Sequence, residues 1–387
     1  MRIGILTFHK AYNYGAFMQA FSLQSGLKKR FPNDDIEIID FVPFHEVYRY
    51  WIKVPLWIML HQGWKACLNQ YRKYKAFSDA WKSFPLGKKA GNTTQSLTKR
   101  TKDYDYIIVG SDAVFNDTDL TGFTGISPFF LEKSETPRSS YAASAHGLNY
   151  EIFDETKKQR LKEALNRFQI IATRDYHTES FVLHMLGKQT DDRIMHTCDP
   201  TVFLDDFPES KYIKELIMDY KGKGKKVIAF MLKTERCGDC IREIERERDC
   251  VFVSLANYNH NADVQLVDAT PFEWVTCLKY VDYVVTDYFH GTLVSLRMGK
   301  PVISIDISER KNDHKTKIED LLIDRLNLPE FYFPYTVFKD ESNHSEILQQ
   351  CRRNIEFDYK EKILSSLNEE HKSFDVFCDA LDRRIHL

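Results

Sequence analysis

Long uncharged apolar segments are missing from this sequence of 387 residues. No stretch reaches the ~18 apolar residues that a membrane-spanning helix needs, so no transmembrane helix is expected. The apolar run over residues 1–7 is too short for a signal peptide, and no small-residue cleavage site follows it. We therefore expect a cytoplasmic protein whose eight cysteines are reduced thiols.

An excess of charge of one sign is also missing. Lysine and arginine number 54, aspartate and glutamate number 56, and the formal net charge is -2. A chain this close to neutral gives no general electrostatic reason to bind nucleic acid, although local patches can still bind anions. Nucleic acid is therefore not an expected partner.

Several short motifs of known chemistry are absent as well. The sequence contains no GxGxxG, P-loop, HExxH, EF-hand or GxSxG motif. Cys237 and Cys240 have CxxC spacing, with Cys250 and His260 downstream, but no second close pair completes a zinc signature. We predict no metal site.

What the sequence does contain is an alternation of strand-like and helical segments, which predicts parallel sheets covered by helices. The first series has predicted strands at residues 2–8, 36–41, 104–109, 139–144, 168–173 and 194–198, with helices at 15–30, 150–167 and 176–187. The second series has strands at 227–232, 251–254, 283–286 and 301–305, followed by helices at 344–354 and 358–384.

This alternation predicts an α/β protein with a GT-B-like architecture: two Rossmann-like domains with parallel sheets and a helical C-terminal tail. We place the first domain at residues 1–210, the second at 211–340 and the tail at 341–387, because a flexible charged segment lies at 222–226. Folds of this type bind ligands at the carboxyl ends of their strands.

Residues 42–100 interrupt the alternation with an aromatic-rich insertion that we expect to be helical. Between 42 and 90, tryptophans and tyrosines are mixed with lysines and arginines. One interpretation is a helical insertion packed on the first domain, with its aromatic rings in the core. The other is an amphipathic surface that contacts a membrane or a lipid-linked substrate at the inner face of the plasma membrane, because Trp, Tyr and Lys suit that interface.

The first candidate site follows the first predicted strand, where His9, Asn13, Tyr14 and Gly15 lie in a polar loop that opens a helix. Free backbone N–H groups and the helix dipole make such a loop a natural anion site. Asn13 is equally suited to cap the helix in an ordinary βα turn.

The second candidate site follows the strand at 104–109 and consists of Gly110, Ser111 and Asp112. Gly110 permits unusual backbone angles, and Asp112 can orient or deprotonate a sugar hydroxyl. A serine or aspartate here can also simply cap the next helix.

The third candidate site follows the strand at 283–286 and contains Thr286, Asp287, Tyr288, His290 and Gly291. It places an imidazole in the first turn of a helix, where it can donate or accept a proton at neutral pH. A single histidine is more often structural, but this one stands at a strand-to-helix junction.

Cations follow two other strands. Arg174 ends the strand at 168–173 and suits bidentate binding of phosphate or carboxylate, or else forms a surface pair with Asp175 or Glu179. His314, Lys315 and Lys317 follow the strand at 301–305 and form either a second phosphate site or a solvated helix face.

These motifs occur in a characteristic order. The sequence reads HxxxNYGA from His9, GSDxVF from Gly110 and YAAS ending at Ser144, then Arg174-Asp175, DPT from Asp199, TDxFHG from Thr286 and GKP from Gly299. This ordered set, over roughly residues 1–330, resembles the polysaccharide pyruvyl transferase family.

The resemblance implies a GT-B-like fold, phosphoenolpyruvate as the donor substrate without a further cofactor, and a saccharide acceptor in cell-surface polysaccharide synthesis. Matched by motif, it implies that His290 and Arg174 lie in the active site. We expect His290 to act as general acid/base, Arg174 as an anion clamp and Asp112 as a hydroxyl-orienting or basic group.

Two other functions fit the same segments. A GT-B glycosyltransferase that uses a nucleotide sugar would share the architecture and the histidine. A non-catalytic envelope-assembly protein would instead use residues 42–90 to contact a membrane or a partner.

Overall fold

In a computed structural model, strands and helices alternate as the sequence predicts. The structure describes residues 1–116, 126–146, 148, 151, 153–233, 235–244, 249–308, 315–339, 347, 349–350, 352–353 and 356–386. The chain divides into two compact units. The first contains residues 1–68, 81–203 and 371–387, and the second contains residues 69–80 and 204–370.

The first unit contains a six-stranded parallel sheet in the order β2-β1-β3-β4-β5-β6. Its strands are β1 Arg2–Leu6, β2 Asp35–Ile38, β3 Tyr106–Val109, β4 Arg138–Ala143, β5 Phe168–Thr173 and β6 Ile194–His196. Every residue of β3 and β4 is buried, as expected for strands covered by helices on both faces.

The second unit contains another six-stranded parallel sheet, in the order β12-β11-β10-β7-β8-β9. Its strands are β7 Lys226–Met231, β8 Cys250–Leu255, β9 Val264–Leu266, β10 Tyr283–Thr286, β11 Val302–Asp306 and β12 Tyr332–Pro334. We did not predict β9 and β12, because three-residue edge strands are too short to show a periodic pattern.

The α-helices of the described residues are numbered in chain order. They are α1 Tyr14–Arg30, α2 Phe44–Tyr48, α3 Val54–Ala80, α4 Thr94–Thr101, α5 Glu155–Asn166, α6 Tyr176–Leu186, α7 Lys211–Gly222, α8 Glu235–Ile244, α9 Pro271–Tyr280, α10 Phe289–Arg297, α11 Lys317–Glu319, α12 Thr336–Lys339 and α13 Lys360–Ile385. Most of the helix predicted at 344–354 lies outside the described residues.

The insertion is helical, but its side chains are not where one interpretation placed them. α2, a π-helical segment Arg49–Lys53, α3 and α4 occupy most of residues 42–100. Tyr74 is buried, whereas Trp51, Trp57 and Trp64 are exposed. The prediction that these aromatic rings fill the core is therefore wrong for most of the insertion.

The predicted C-terminal helix is present as α13. α13 contributes its residues from 371 onward to the first unit. There Phe374 and Phe377 pack edge-on against Tyr141 of β4, with ring centroids 5.6 and 4.8 Å apart, and Phe374 also stacks on Phe203 at 4.2 Å. The end of the chain thus completes the aromatic core beside β4.

Candidate functional site

The predicted site residues of the first unit lie at the carboxyl ends of its strands. The loop after β1 carries His9, and Asn13 begins α1 by accepting a hydrogen bond from the Ala16 N–H at 3.2 Å. The capping role of Asn13 is therefore confirmed. Tyr14 and Gly15 form the buried first turn of α1. Binding of an anion or a sugar by this loop stays a prediction.

His9 belongs to a cluster of charged side chains that the sequence did not reveal. Its Nε2 lies 3.3 Å from Oδ1 of Asp40, which follows β2, and the Nζ of Lys10 donates to the same oxygen at 2.6 Å. Burial alone would raise the pKa of Asp40, but the hydrogen bonds from His9 and Lys10 outweigh it and lower the pKa to about 2. Residues 7–11, 41–43 and 46 line a small cavity beside this cluster.

Gly110, Ser111 and Asp112 follow β3 in a tight turn. Gly110 has φ +132°, and a Cβ there would overlap the carbonyl oxygen of Tyr141, so no other residue fits. Ser111 is fully buried, and within the described chain its hydroxyl has no hydrogen-bond partner. Asp112 adopts φ 77°, and its side chain is about one quarter exposed.

Arg174, after β5, is buried and not part of a surface pair. Its Nη1 donates to Oδ2 of Asp199 at 3.0 Å, and its Nη2 lies 3.8 Å from Oδ1 of Asp112. Asp199, which follows β6, also accepts from Gln19 and from the N–H and hydroxyl of Thr201. Two predicted catalytic residues, Arg174 and Asp112, are thereby brought together, with Asp199 as the anchor.

Ser144 and Asp175 complete this edge of the first sheet. The Ser144 hydroxyl donates to Oδ2 of Asp175 at 2.8 Å, and Asp175 caps α6 by accepting from Thr178. Burial would raise the pKa of Asp175, but the hydrogen bonds from Thr178 and the charge of Arg174 lower it. Ser144 is fully buried and holds the turn after β4.

In the second unit, the predicted residues follow β10 and begin α10. Thr286 ends β10 and accepts from the Tyr288 N–H at 3.1 Å, and Asp287 accepts from the Lys233 N–H at 2.7 Å. A Cβ on Gly291 would overlap the Thr286 hydroxyl, so glycine allows α10 to approach the strand closely. His290 is in the first turn of α10, and it is half-buried.

Tyr288 joins this turn to the neighbouring strands of the second sheet. Its hydroxyl accepts from Nδ2 of Asn257, after β8, at 2.7 Å, and Nζ of Lys233, after β7, lies 4.4 Å from its ring centre. Burial raises the pKa of Tyr288. Sequence reasoning missed Asn257 and Lys233, although each follows a strand of the same sheet.

Lys73 of α3 is a further residue that we did not predict in the second unit. Its Nζ lies 3.4 Å from the carbonyl oxygen of Ala256, the residue after β8, and burial lowers the pKa of Lys73 to about 8. Ala256 has φ 68°. No sequence signal connects α3 with β8, because they are far apart in the chain.

The segment after β11 gives less support to a phosphate site. His314 lies outside the described residues. Lys315 forms an ion pair with Asp324 at 2.7 Å, and Lys317 is in the first turn of α11, which Thr316 caps. The Thr316 hydroxyl also donates to Asp306 at the end of β11.

The CxxC pair lies on α8. Cys237 is fully buried in the apolar core of the second unit, and the side chain of Cys240 is outside the described part of the structure. Within the described chain, no group of three or more His, Cys, Asp or Glu side chains is arranged to hold a metal ion.

Comparison with known families decides the identity of the chain. The family model described as polysaccharide pyruvyl transferase matches residues 13–309, which include the predicted site residues other than His9, His314, Lys315 and Lys317. The chain belongs to the polysaccharide pyruvyl transferase family. This family transfers pyruvyl groups in polysaccharide synthesis, so the predicted transferase class is confirmed. No curated protein matched the sequence.

Two solved structures of similar fold are UDP-GlcNAc 2-epimerases. One is a UDP-GlcNAc 2-epimerase from Neisseria meningitidis bound to UDP-GlcNAc, with 10% identity, coverage of 99% of this chain and 100% of that chain, and a TM-score of 0.52. Another is a UDP-GlcNAc 2-epimerase from Methanocaldococcus jannaschii, with 10% identity, coverage of 92% and 93%, and a TM-score of 0.52. At this identity they establish the fold alone, which is of GT-B type as predicted.

Proposed function

We propose that this member of the pyruvyl transferase family takes the pyruvyl group from phosphoenolpyruvate and joins it to two hydroxyls of one saccharide as a ketal. The observation that carries the proposal is the family match across residues 13–309. This range includes the candidate residues from Asn13 to Gly291, which follow the carboxyl ends of strands in the two sheets. The acceptor would be a saccharide of a cell-surface polysaccharide, free or lipid-linked.

The reaction requires one proton transfer to carbon and two additions of oxygen. A proton adds to the methylene carbon of the donor, so the central carbon becomes electrophilic. One sugar hydroxyl then adds to that carbon, a second displaces inorganic phosphate, and the methylene group has become the methyl group of the ketal. The two hydroxyl protons balance the carbon–hydrogen bond formed and the proton taken up by phosphate.

His290 is the proposed general acid/base. It stands in the first turn of α10, and Tyr288, the N-cap, makes no side-chain capping hydrogen bond within the described residues. The N–H groups of this turn and the positive end of the helix dipole suit the donor phosphate. A histidine beside a bound phosphate can supply the proton that the methylene carbon requires.

Arg174 and Asp112 are proposed to act together on the donor anion and the acceptor. Asp199 fixes one edge of the Arg174 guanidinium, so the group is held in one orientation before substrate binds. The partly exposed Asp112 carboxylate is suited to accept hydrogen bonds from sugar hydroxyls. Ser111, with its buried hydroxyl in the same turn, is a further candidate for acceptor binding.

The experiment that tests the proposal compares donors directly. Phosphoenolpyruvate and UDP-GlcNAc are titrated separately into the full-length protein, and melting temperature and binding heat are recorded. A ligand that binds only the native state at 100 times its Kd stabilises it by about 2.7 kcal/mol, so a true donor raises the melting temperature clearly. Phosphate release is then followed with a panel of oligosaccharides that carry free vicinal or 1,3-related hydroxyls.

Two outcomes would refute the proposal. Binding of UDP-GlcNAc without any response to millimolar phosphoenolpyruvate would favour the glycosyltransferase hypothesis. Absence of binding by both donors, together with no phosphate release from any acceptor, would favour a non-catalytic role in envelope assembly.

A further inference from the structure

Residues 44–68 of the first unit carry an unusual concentration of exposed apolar side chains. More than half of the large apolar and aromatic residues that are exposed in the described chain lie in this one segment. We call these residues the aromatic surface; they are Phe44, Tyr48, Trp51, Ile52, Leu56, Trp57, Met59, Leu60, Trp64 and Leu68. Single exposed apolar residues are ordinary, but a contiguous group marks an interaction surface.

The backbone presents these side chains as the outer face of an amphipathic element. In the first part of α3, Leu56, Met59 and Leu60 point outward and Leu60 is 71% exposed, whereas Ile58 is 8% exposed. Gly63, with φ 81°, interrupts the helix. Trp64 and Leu68 then follow four residues apart on the next turns, so they share a face as well.

The charges around the aromatic surface are mostly positive, because the one acidic residue of 44–68, Glu46, is buried and lies 3.5 Å from Nη1 of Arg49. Residues 47–78 contain no aspartate or glutamate, and they include Arg49, Lys53, Lys65, Arg72 and Lys75. Arg49 and Lys53 are exposed and adjoin the aromatic surface. This bias is local, since the chain as a whole has a formal net charge of -2.

We propose that the aromatic surface docks the protein on a bilayer that contains anionic lipids. Tryptophan and tyrosine rings favour the headgroup region, leucines enter the outer acyl region, and the flanking cations pair with anionic headgroups. The segment lies on the bilayer and does not cross it, because in the described chain no helix is long and apolar enough to do so.

The charge pattern favours a lipid surface over a second copy of the chain. In a symmetric dimer the same surface meets itself, so exposed Lys53 of one copy would approach like charges of the other, while buried Glu46 already pairs with Arg49. An anionic bilayer instead supplies the opposite charge. The docking proposal does not rest on the proposed pyruvyl transfer, so a failure of one leaves the other standing.

The test is co-sedimentation of the full-length protein with vesicles. One set contains phosphatidylcholine with about one third phosphatidylglycerol, and the other contains phosphatidylcholine alone. We expect retention on the anionic vesicles at low salt and release as salt screens the charges. The fluorescence of Trp51, Trp57 and Trp64 reports contact of the aromatic surface with the bilayer. Lipids brominated in the acyl chain should therefore quench the intrinsic fluorescence of the unmutated protein.

Matched variants distinguish docking through the aromatic surface from non-specific adsorption of the protein to vesicles. Trp57→Ser with Leu60→Ser should weaken partitioning by about tenfold or more, whereas Tyr212→Ser with Tyr258→Ser, two exposed rings in the second unit, should leave it unchanged. Lys53→Glu should weaken it by about tenfold, and Lys211→Glu, an exposed lysine of α7, should not. Melting curves confirm that each variant is folded.

Each alternative outcome overturns the proposal. Failure to bind anionic vesicles at low salt, or equal retention by uncharged vesicles, contradicts it. Undiminished binding by the Trp57→Ser, Leu60→Ser variant places the contact elsewhere. A dimer in sedimentation velocity that this variant abolishes, without vesicle binding by the wild type, assigns the surface to a second copy of the chain.

Discussion

Arg174 donates a hydrogen bond from Nη1 to Oδ2 of Asp199 at 3.0 Å, and neither side chain is more than 4% exposed. Asp199 accepts further hydrogen bonds from Gln19 and Thr201, so its carboxylate is well satisfied. A buried pair of this kind contributes little net stability when intact but is costly to break, because one charge is then left alone. This pair therefore fixes the direction of the Arg174 guanidinium.

The first prediction separates anchoring from ligand binding at this pair. Asp199→Asn should lower the free energy of unfolding by about 3 kcal/mol, since a buried guanidinium loses its counter-charge. Arg174→Lys keeps the positive charge but loses the planar guanidinium with its several N–H donors. The protein should therefore fold but bind phosphoenolpyruvate about tenfold more weakly. Chemical denaturation and calorimetric titration measure the two quantities.

Arg193→Lys is the control, because Arg193 also donates to a carboxylate, that of Asp191 before β6, although its side chain is 23% exposed. It should leave donor affinity unchanged. Unaltered donor affinity in Arg174→Lys would remove Arg174 from the donor site.

The second prediction concerns His290. His290→Ala should lower turnover by about 10²–10⁴-fold if the imidazole transfers a proton in the rate-limiting step. Donor affinity should fall much less, because the imidazole is proposed to transfer a proton and not to hold the donor anion. His260→Ala, a half-exposed histidine of the same unit, is the control and should be active. Near-normal turnover of a folded His290→Ala protein would rule out the proposed mechanism.

The third prediction is a pH dependence of stability. The pKa of Asp40 is lowered in the folded state. The contribution of its carboxylate to the free energy of unfolding is therefore fully present above about pH 4 and is lost as pH falls toward about 2. Asp40→Asn should flatten the loss of stability in that window and, because the carboxylate is partly exposed, lower stability at pH 7 by only about 1 kcal/mol.

Melting temperatures between pH 2 and pH 7 for the wild type and Asp40→Asn measure this effect. Asp35→Asn, at an exposed position that begins β2, is the control. Parallel pH curves for the wild type and Asp40→Asn would show that the His9–Lys10–Asp40 cluster is not formed in solution.

The fourth prediction concerns the last helix. Phe377→Ala should destabilise the first unit by about 3–5 kcal/mol, because the ring is fully buried against Tyr141. Its neighbour Val376 is exposed, so Val376→Ala should change stability by less than about 0.5 kcal/mol. Urea unfolding followed by circular dichroism compares the two variants, and equal effects would contradict the packing of α13.

The buried strands were the most predictable part of the fold. Residues 168–173 and 283–286 were predicted with the bounds that the structure shows. A strand that is buried on both faces of a parallel sheet is a mainly apolar run, and the polar segments beside it mark its two ends. The insertion was less predictable, because a tryptophan in a helix suits a core and an interface equally. Only the structure shows that Trp57 and Trp64 are exposed.

The candidate site shows the same division. Local signals identified Asn13 as a cap and Gly110 as a tight turn, because each depends on neighbouring residues. The sequence did not indicate that Arg174 pairs with Asp199 and faces Asp112, or that Asn257 contacts Tyr288, because these contacts join residues that are distant in the chain. Strand order, which no single motif encodes, brings them together.

Because α13 supplies Phe374 and Phe377 to the core beside β4, the first unit is assembled from both ends of the chain. When the ribosome has synthesised residues 1–203, the strands of the first sheet are present, but the aromatic core beside β4 still lacks Phe374 and Phe377. Tyr141 and Phe203 meet them only after all of the second unit has been synthesised. The first unit can reach its final stability only after residues 371–387 have been synthesised, and a nascent chain truncated before residue 371 should expose this apolar face to chaperones.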